Sequence, residues 1–212
     1  MRLIIQKDPQ QMAVWAAAHI VKRINEFGPT PEKPFVLGLP TGGTPLGTYK
    51  ELIRLYKEGK VSFQNVVTFN MDEYVGLPEE HPESYHSFMW NNFFSHVDVK
   101  KENVNILNGN AEDLDAECAR YEEKIKSYGG IHLFMGGIGP DGHIAFNEPP
   151  EPGEVCTDEE FLERPTRVLK LARETKTINA FMNAGADLDG IPDNCITVGM
   201  KEINFARKIR ML

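Results

Sequence analysis

The chain has few cysteines, no long apolar run and a deficit of positive charge, and each shortage removes a class of protein. Its 212 residues hold 3 cysteines, Cys118, Cys156 and Cys195. They are odd in number and far apart, which fits neither a disulfide framework nor a zinc site and points to a reducing, cytoplasmic compartment. The start MRLIIQKDPQ holds an apolar stretch too short for a signal peptide, and no run approaches the roughly 18 apolar residues of a membrane span, so no membrane partner is expected. Lysine and arginine number 23 against 31 aspartates and glutamates, a formal net charge of −8. The basic residues are dispersed, which argues against a nucleic-acid partner, since a phosphate backbone demands clustered cations. A small anionic metabolite is still compatible, because backbone N–H groups and one or two local cations can hold a phosphate.

What the chain does have is a globular composition. At 41% hydrophobic and 25% charged it can bury a full core, so residues 1–212 read as a single domain. Leu3–Ile5 reads as a short strand. Asp8 and Pro9 then open a helix whose apolar stripe runs through Trp15, Ile20 and Ile24, and Gly28-Pro29 closes it. Phe35–Leu39 is a continuous apolar strand, after which Thr44 and Pro45 read as the cap and first residue of a second helix. Val66–Met71 reads as a strand, Glu83–Val97 as an aromatic-rich helix, Asn105–Leu107 as a short strand, Asp113–Tyr128 as a helix and Ile131–Met135 as a strand. From Pro149 to Arg164 the sequence turns acidic and proline-rich, which reads as a surface loop or flap at about 149–164. Strand Arg167–Leu171, helix Glu174–Asn183, an element from Cys195 to Gly199 and a strand at Ile209–Leu212 complete the series. This alternation predicts an α/β fold with a doubly wound, mostly parallel, Rossmann-like sheet and helices on both faces. Ligands of such a sheet bind just past the carboxyl ends of its strands.

Three strand ends carry chemistry. In Pro40-Thr41-Gly42-Gly43-Thr44-Pro45, two glycines let the backbone approach a ligand while the next helix points free N–H groups at it, a phosphate cradle without the spacing or lysine of a P-loop. Phe69-Asn70-Met71-Asp72-Glu73-Tyr74 leaves two adjacent carboxylates at a strand end. One of them, partly desolvated, could remove a proton next to a carbonyl, and solvated loop acids are the plain alternative. The third end runs from Met135 to Pro149. Gly137, Gly139 and Gly142 satisfy G-x-G-x-x-G, but Asn147-Glu148-Pro149-Pro150 prevents a helix from opening there and Asp141 puts a negative charge where a pyrophosphate would lie, so the dinucleotide reading is rejected. What remains is a glycine loop presenting Asp141, His143 and Glu148, in which carboxylates can orient an imidazole for proton shuttling. A metal site is the rival reading; one histidine with no second His or Cys nearby argues against it.

Leu37–Pro45, Phe69–Leu77, His81-Pro82-Glu83-Ser84-Tyr85 and Gly139–Pro149 together resemble the signatures of the glucosamine-6-phosphate deaminase family, nearly without gaps over the first 149 residues. The resemblance implies an aldose–ketose isomerase and deaminase acting on a phosphosugar. His143, oriented by Asp141 and Glu148, would serve pyranose ring opening, and Asp72 would take the C2 proton. Thr41, Gly42, Gly43, Thr44 and Gly137 would hold the substrate and its phosphate. No metal or organic cofactor is implied, and a homo-oligomer, typically a hexamer, is.

The resemblance weakens after Pro149, although Thr166-Arg167-Val168 and Ile196–Gly199 keep it. Where the family carries a phosphate-clamping arginine, the counterpart is Asn179-Ala180-Phe181-Met182, with Phe181 in its place. The family's allosteric serines are replaced by the acidic stretch. The family also continues into a C-terminal quarter with a further phosphate-binding lysine, for which Lys208 does not substitute, so the fold is expected to be C-terminally incomplete and phosphate affinity reduced. Two other functions stay open at this point: a 6-phosphogluconolactonase-like hydrolase, which needs no base over C2, and a catalytically silent sugar-phosphate sensor.

Overall fold

A computed structural model describes residues 2–139, 141–150, 153–183 and 187–212. Pro140 of the glycine motif and Glu151 and Pro152 of the acidic stretch therefore lie outside the described residues. In chain order the first half comprises α1 (Pro9–Phe27), β1 (Phe35–Leu39), α2 (Leu46–Lys57), β2 (Val66–Asn70), β3 (Asp72–Tyr74), α3 (Tyr85–Asn92), β4 (Val104–Asn105) and α4 (Leu114–Ser127). The second half comprises β5 (Leu133–Gly136), α5 (Asp158–Leu162), β6 (Arg167–Lys170), α6 (Arg173–Asn183), β7 (Asn194–Thr197), α7 (Met200–Phe205) and β8 (Ile209–Met211).

Five strands form one parallel sheet in the order β4-β2-β1-β5-β8. Alternation along its strands divides the interior in two. Leu37, Leu39, Leu133 and Met135 pack with Ala17 and Ile20 of α1 and Tyr49 and Leu52 of α2. Val36, Phe69 and Phe134 pack on the other face with Tyr121 and Ile125 of α4 and Ile203 of α7. A sheet covered on both faces explains why β1 and β2 are buried at every position. From β1 the chain passes to β2 on one side, and later β5 pairs with β1 on the other. The carboxyl ends of β1 and β5 thus flank the switch point where ligands of open sheets bind.

The mostly parallel, doubly wound architecture agrees with the sequence, and several elements differ from it. Residues 2–6 form no strand, and Leu3 and Ile5 are exposed; no sheet strand lies beside them to accept their backbone groups. The aromatic helix is shorter than Glu83–Val97. It stops when Phe93 leaves the helical region (φ −146°, ψ −61°) and a 3₁₀ turn follows at Phe94–His96. Phe93 and Phe94, on either side of the break, are both buried. The acidic stretch is not wholly irregular. Thr157 and Glu160 make a capping box for α5, so three of the acids expected in a loop form the first turn of a helix, where its dipole favours them.

The largest addition is a second sheet, antiparallel, in the order β3-β7-β6. Met71 joins the two sheets: its N–H donates to Leu39 C=O of the parallel sheet (3.2 Å), and its C=O accepts from Val198 N–H, just past β7 (2.7 Å). Glu73, the middle residue of β3, fastens α3 alongside. Its carboxylate accepts N–H bonds from Tyr74 (2.8 Å), Tyr85 (3.0 Å) and His86 (2.8 Å), satisfying the free amides at the start of α3. Burial pushes the Glu73 carboxyl up despite these three donors. Glu73→Ala is expected to reduce the unfolding free energy by about 3 kcal/mol, because it leaves these amides without an acceptor. Glu73→Gln, which keeps one acceptor oxygen, should lose clearly less; equal urea denaturation curves for the parent and the Ala variant would refute this role.

Candidate active site

The turn after β1 forms the floor of a cleft. Gly42 sits at φ +96°, a conformation that a side chain would strain. Tyr49 of α2 is buried below the turn and donates its hydroxyl to Pro40 C=O. The expected helix cap is displaced by one residue. Pro45 occupies the cap position in a helical conformation (φ −75°, ψ −12°), and no side chain caps α2. Thr44 is thereby left to line the cleft with Thr41, Gly42 and Gly43. Hydroxyls, free helix N–H groups and the absence of any lysine or arginine among the described lining residues make this a neutral cradle that suits an anion.

Asp72 and Glu73 have opposite fates because successive strand residues point to opposite faces. Glu73 turns to α3, whereas Asp72 reaches the cleft. Asp72 is 6% exposed, and its pKa is raised to about 8, chiefly by desolvation and secondarily by the neighbouring Glu73. A carboxylate so poorly solvated is a stronger base than a surface aspartate.

His143 and Gly137 line the opposite wall, after β5. The imidazole lies so close over Gly139 that a Cβ there would come within 2.3 Å of the ring, so any side chain at this position would displace the histidine. Asp141 Oδ1 is 2.6 Å from His143 Nδ1. Asp141 and Glu148 themselves stand behind the histidine and not in the cleft lining, and each of the three residues offers an atom within 4.8 Å of the others. All three are potential metal ligands, and two of their carboxylate oxygens are engaged within the protein. The Asp141–His143 contact is closer than two ligands of one cation approach, and Glu148 Oε1 accepts from the Thr175 hydroxyl (2.6 Å) and Ala172 N–H (3.3 Å). The three residues form a close cluster of two carboxylates and one imidazole, an arrangement compatible with proton shuttling.

This loop is pinned to the second sheet. Phe146 N–H donates to Thr197 Oγ1 (3.0 Å), and Asn147 Nδ2 donates to Val198 C=O (2.8 Å) while its Oδ1 accepts from Arg167 (2.7 Å). Thr197 is also the β7 residue opposite Asp72, so one threonine references both walls of the cleft. Ala145, between them, is held at φ +55°, a left-handed strain of about 1 kcal/mol or more that marks a constrained functional loop.

Two cleft residues were not anticipated. Tyr85 closes the cleft beside Phe146; its hydroxyl lies 3.3 Å from that of Tyr74, which also accepts from Asn179 Nδ2 (3.0 Å). Asn179 lines the cleft too, whereas Phe181, two residues on, is 74% exposed and is not among the lining residues. The placement of Tyr85 in the His81–Tyr85 motif was the available signal. For Asn179 the signal was its place at the start of the Asn179–Met182 counterpart of the family's phosphate-clamping segment, where attention fell on Phe181.

A family model described as glucosamine-6-phosphate isomerases/6-phosphogluconolactonase matches residues 7–184. The chain is 62% identical to a glucosamine-6-phosphate deaminase of Bacteroides thetaiotaomicron, covering 100% of this chain and 75% of the relative. It is 61% identical to one of Aeromonas hydrophila, covering 100% and 76%. Among solved structures, a monomeric glucosamine-6-phosphate deaminase superposes with a TM-score of 0.88 at 38% identity, covering 100% of this chain and 81% of that one. A 6-phosphogluconolactonase of Thermotoga maritima shares the fold at a TM-score of 0.62 and 18% identity, covering 92% and 78%.

The burial of Asp72 has a thermodynamic signature independent of any reaction. Its folded pKa of about 8 exceeds the ordinary 3.8, so the folded chain binds the extra proton and loses stability as the pH rises between those values. Asp72→Asn removes that loss. The variant is expected to melt above the parent at about pH 8.5, with the gap closing towards about pH 4. A gap that is independent of pH, or a variant that melts lower at both values, would contradict the desolvated carboxylate.

Proposed function

Since the chain belongs to the glucosamine-6-phosphate isomerase/6-phosphogluconolactonase family, we propose that its cleft converts glucosamine 6-phosphate and water to fructose 6-phosphate and ammonia. The observation that carries this reading is that Asp72 and His143 line one cleft with the Thr41–Thr44 cradle. A lactonase has no use for a base over C2, and the structural likeness to lactonases at 18% identity concerns the fold alone.

The phosphate binds at the Thr41–Thr44 turn and the α2 N-terminus, with Gly137 at the opposite wall leaving room for the sugar. His143, held by Asp141 and Glu148, moves a proton from the anomeric hydroxyl to the ring oxygen, and the pyranose opens to the aldehyde. Asp72 removes the C2 proton while the C1 oxygen gains one, giving an enolamine. Return of that proton to C1, with loss of a proton from nitrogen, leaves a 2-imino sugar. Water adds at C2 and ammonia departs. The substrate's C2 ammonium, bound beside Asp72, favours the charged carboxylate and lowers its pKa in the complex. The residues supply proton transfer and electrostatics throughout, without calling on a cofactor.

The compartment in this reading is the cytoplasm, in keeping with Cys118, Cys156 and Cys195, all free thiols. Among the described residues no helix is long and apolar enough to cross a membrane. A homo-oligomer remains part of the proposal on the strength of the resemblance; the fold does not require one, since a monomeric deaminase has it.

Ammonia release in a coupled assay on glucosamine 6-phosphate tests the reading, with 6-phosphogluconolactone as the control. Release from the amino sugar and no lactone hydrolysis are expected, with Asp72→Asn abolishing solvent-hydrogen exchange at C2 while phosphosugar binding persists. Lactone turnover, or exchange in the Asn variant, would overturn it. The pH profiles follow from the electrostatics. Activity as kcat/KM, which reports the free protein, should rise through about pH 8, where Asp72 ionises. The kcat profile, which reports the complex, should rise at lower pH, and coincident limbs would show that the substrate ammonium does not act on Asp72.

A further inference from the structure

Among the described residues, one side chain and one backbone amide donate to the Glu148 carboxylate. On its Oε1 converge two donors from the first turn of α6, the Thr175 hydroxyl at 2.6 Å and the Ala172 N–H at 3.3 Å. The first is the length of a charge-assisted O–H···O bond and the second is long for an amide donor, so the hydroxyl is the stronger constraint. Thr175 is 5% exposed, which keeps water from substituting for it. Its helix is itself fixed. Asn179, one turn along, is bonded to the Tyr74 hydroxyl of β3, and Lys176 pairs with Asp193 at 2.6 Å. A hydroxyl on an anchored helix is a fixed point, and occupying Oε1 leaves Oε2 as the oxygen available to the imidazole.

We propose that Thr175 is a positioning residue of the active site: its hydrogen bond sets the orientation in which Glu148 presents its carboxylate to His143. The proposal rests on the reading of His143 and Glu148 given above. A purely structural threonine would hold the helix N-terminus in place and have no separate bearing on turnover. A positioning threonine acts through Glu148 and has no effect once Glu148 has lost its charge.

The test is a double-mutant cycle on the whole chain with glucosamine 6-phosphate. Thr175→Val removes the hydroxyl at nearly constant volume and is expected to lower kcat about ten- to a hundredfold, the loss associated with a hydrogen bond to a charged group. KM should stay within about twofold, because the phosphate cradle is untouched. Thr175→Ser, which keeps the donor, should restore most of kcat. In a Glu148→Gln background, Thr175→Val should change kcat by no more than about twofold. If Thr175→Val does not give a native circular dichroism spectrum, Thr175→Ala replaces it in the same cycle. An undiminished effect of the threonine substitution in the Gln background, or no effect in the parent, would overturn the proposal while leaving the reading of the histidine cluster in place. A Glu148→Gln variant with parental kcat would instead show that the cluster reading itself is wrong, and the proposal with it.

Discussion

Everything at the cleft depends on the way the chain leaves one sheet and enters another at Met71. Its N–H is spent on Leu39 of the parallel sheet and its C=O on Val198 beyond the antiparallel one, so a single residue carries backbone bonds to both layers. The crossing sends Asp72 into the space above the carboxyl ends of β1 and β5. The His143 loop is then fastened to the same antiparallel sheet through Thr197 and Val198. Both walls of the cleft are therefore measured from β7, and their separation does not rely on the longer, more exposed connection between β5 and β6.

The electrostatics of the cleft come from where water is kept out. Two acids adjacent in sequence are both raised by burial, yet Glu73 meets three amides and serves the fold, whereas Asp72 owes its shift to about 8 to desolvation and its like-charged neighbour. The fold would be more stable with a neutral group at Asp72, the usual relation between a poised catalytic group and the structure that holds it. Across the cleft, Asp141 and Glu148 flank one imidazole from behind, so negative charge backs the histidine while the Thr41–Thr44 turn offers only hydroxyls and N–H groups to an anion.

Much of this was legible in the sequence. Continuous apolar strands at Phe35–Leu39 and Val66–Asn70 and the Asp8-Pro9 and Asp113 helix starts are short-range signals, and the structure follows them. The glycine turn, Asp72 and His143 were singled out at strand ends, where an ordinary turn and solvated acids were plain alternatives, and the family resemblance supplied the roles proposed for them. What escaped the sequence was long-range. A three-residue strand at Asp72–Tyr74 has no periodicity to detect, and its existence depends on β7, more than a hundred residues later. The division of labour between Asp72 and Glu73 follows from that strand's pleat, and the cleft role of Asn179 depends on how α6 docks. The aromatic helix ends at Asn92, where Phe93 leaves the helical region, a backbone break that the pattern of apolar residues does not announce.

The shortness of β3 also bears on which length changes the chain could accept in evolution or engineering. With only Asp72, Glu73 and Tyr74 in register against Thr197, Ile196 and Cys195, inserting one residue between Met71 and Asp72 would exchange the faces of the two acids, and any deletion between Met71 and Tyr74 would remove one of them. The carboxylate with three amides waiting for it would point into the cleft, and the one suited to the cleft would point at α3. No neighbouring side chain could compensate, because the amides that fix Glu73 are backbone groups. The acidic segment before β6 is under no such constraint: it is mostly exposed, and its one short helix carries its own capping box. Variation in length should therefore gather there, and the three residues of β3 should keep their count even where their neighbours change.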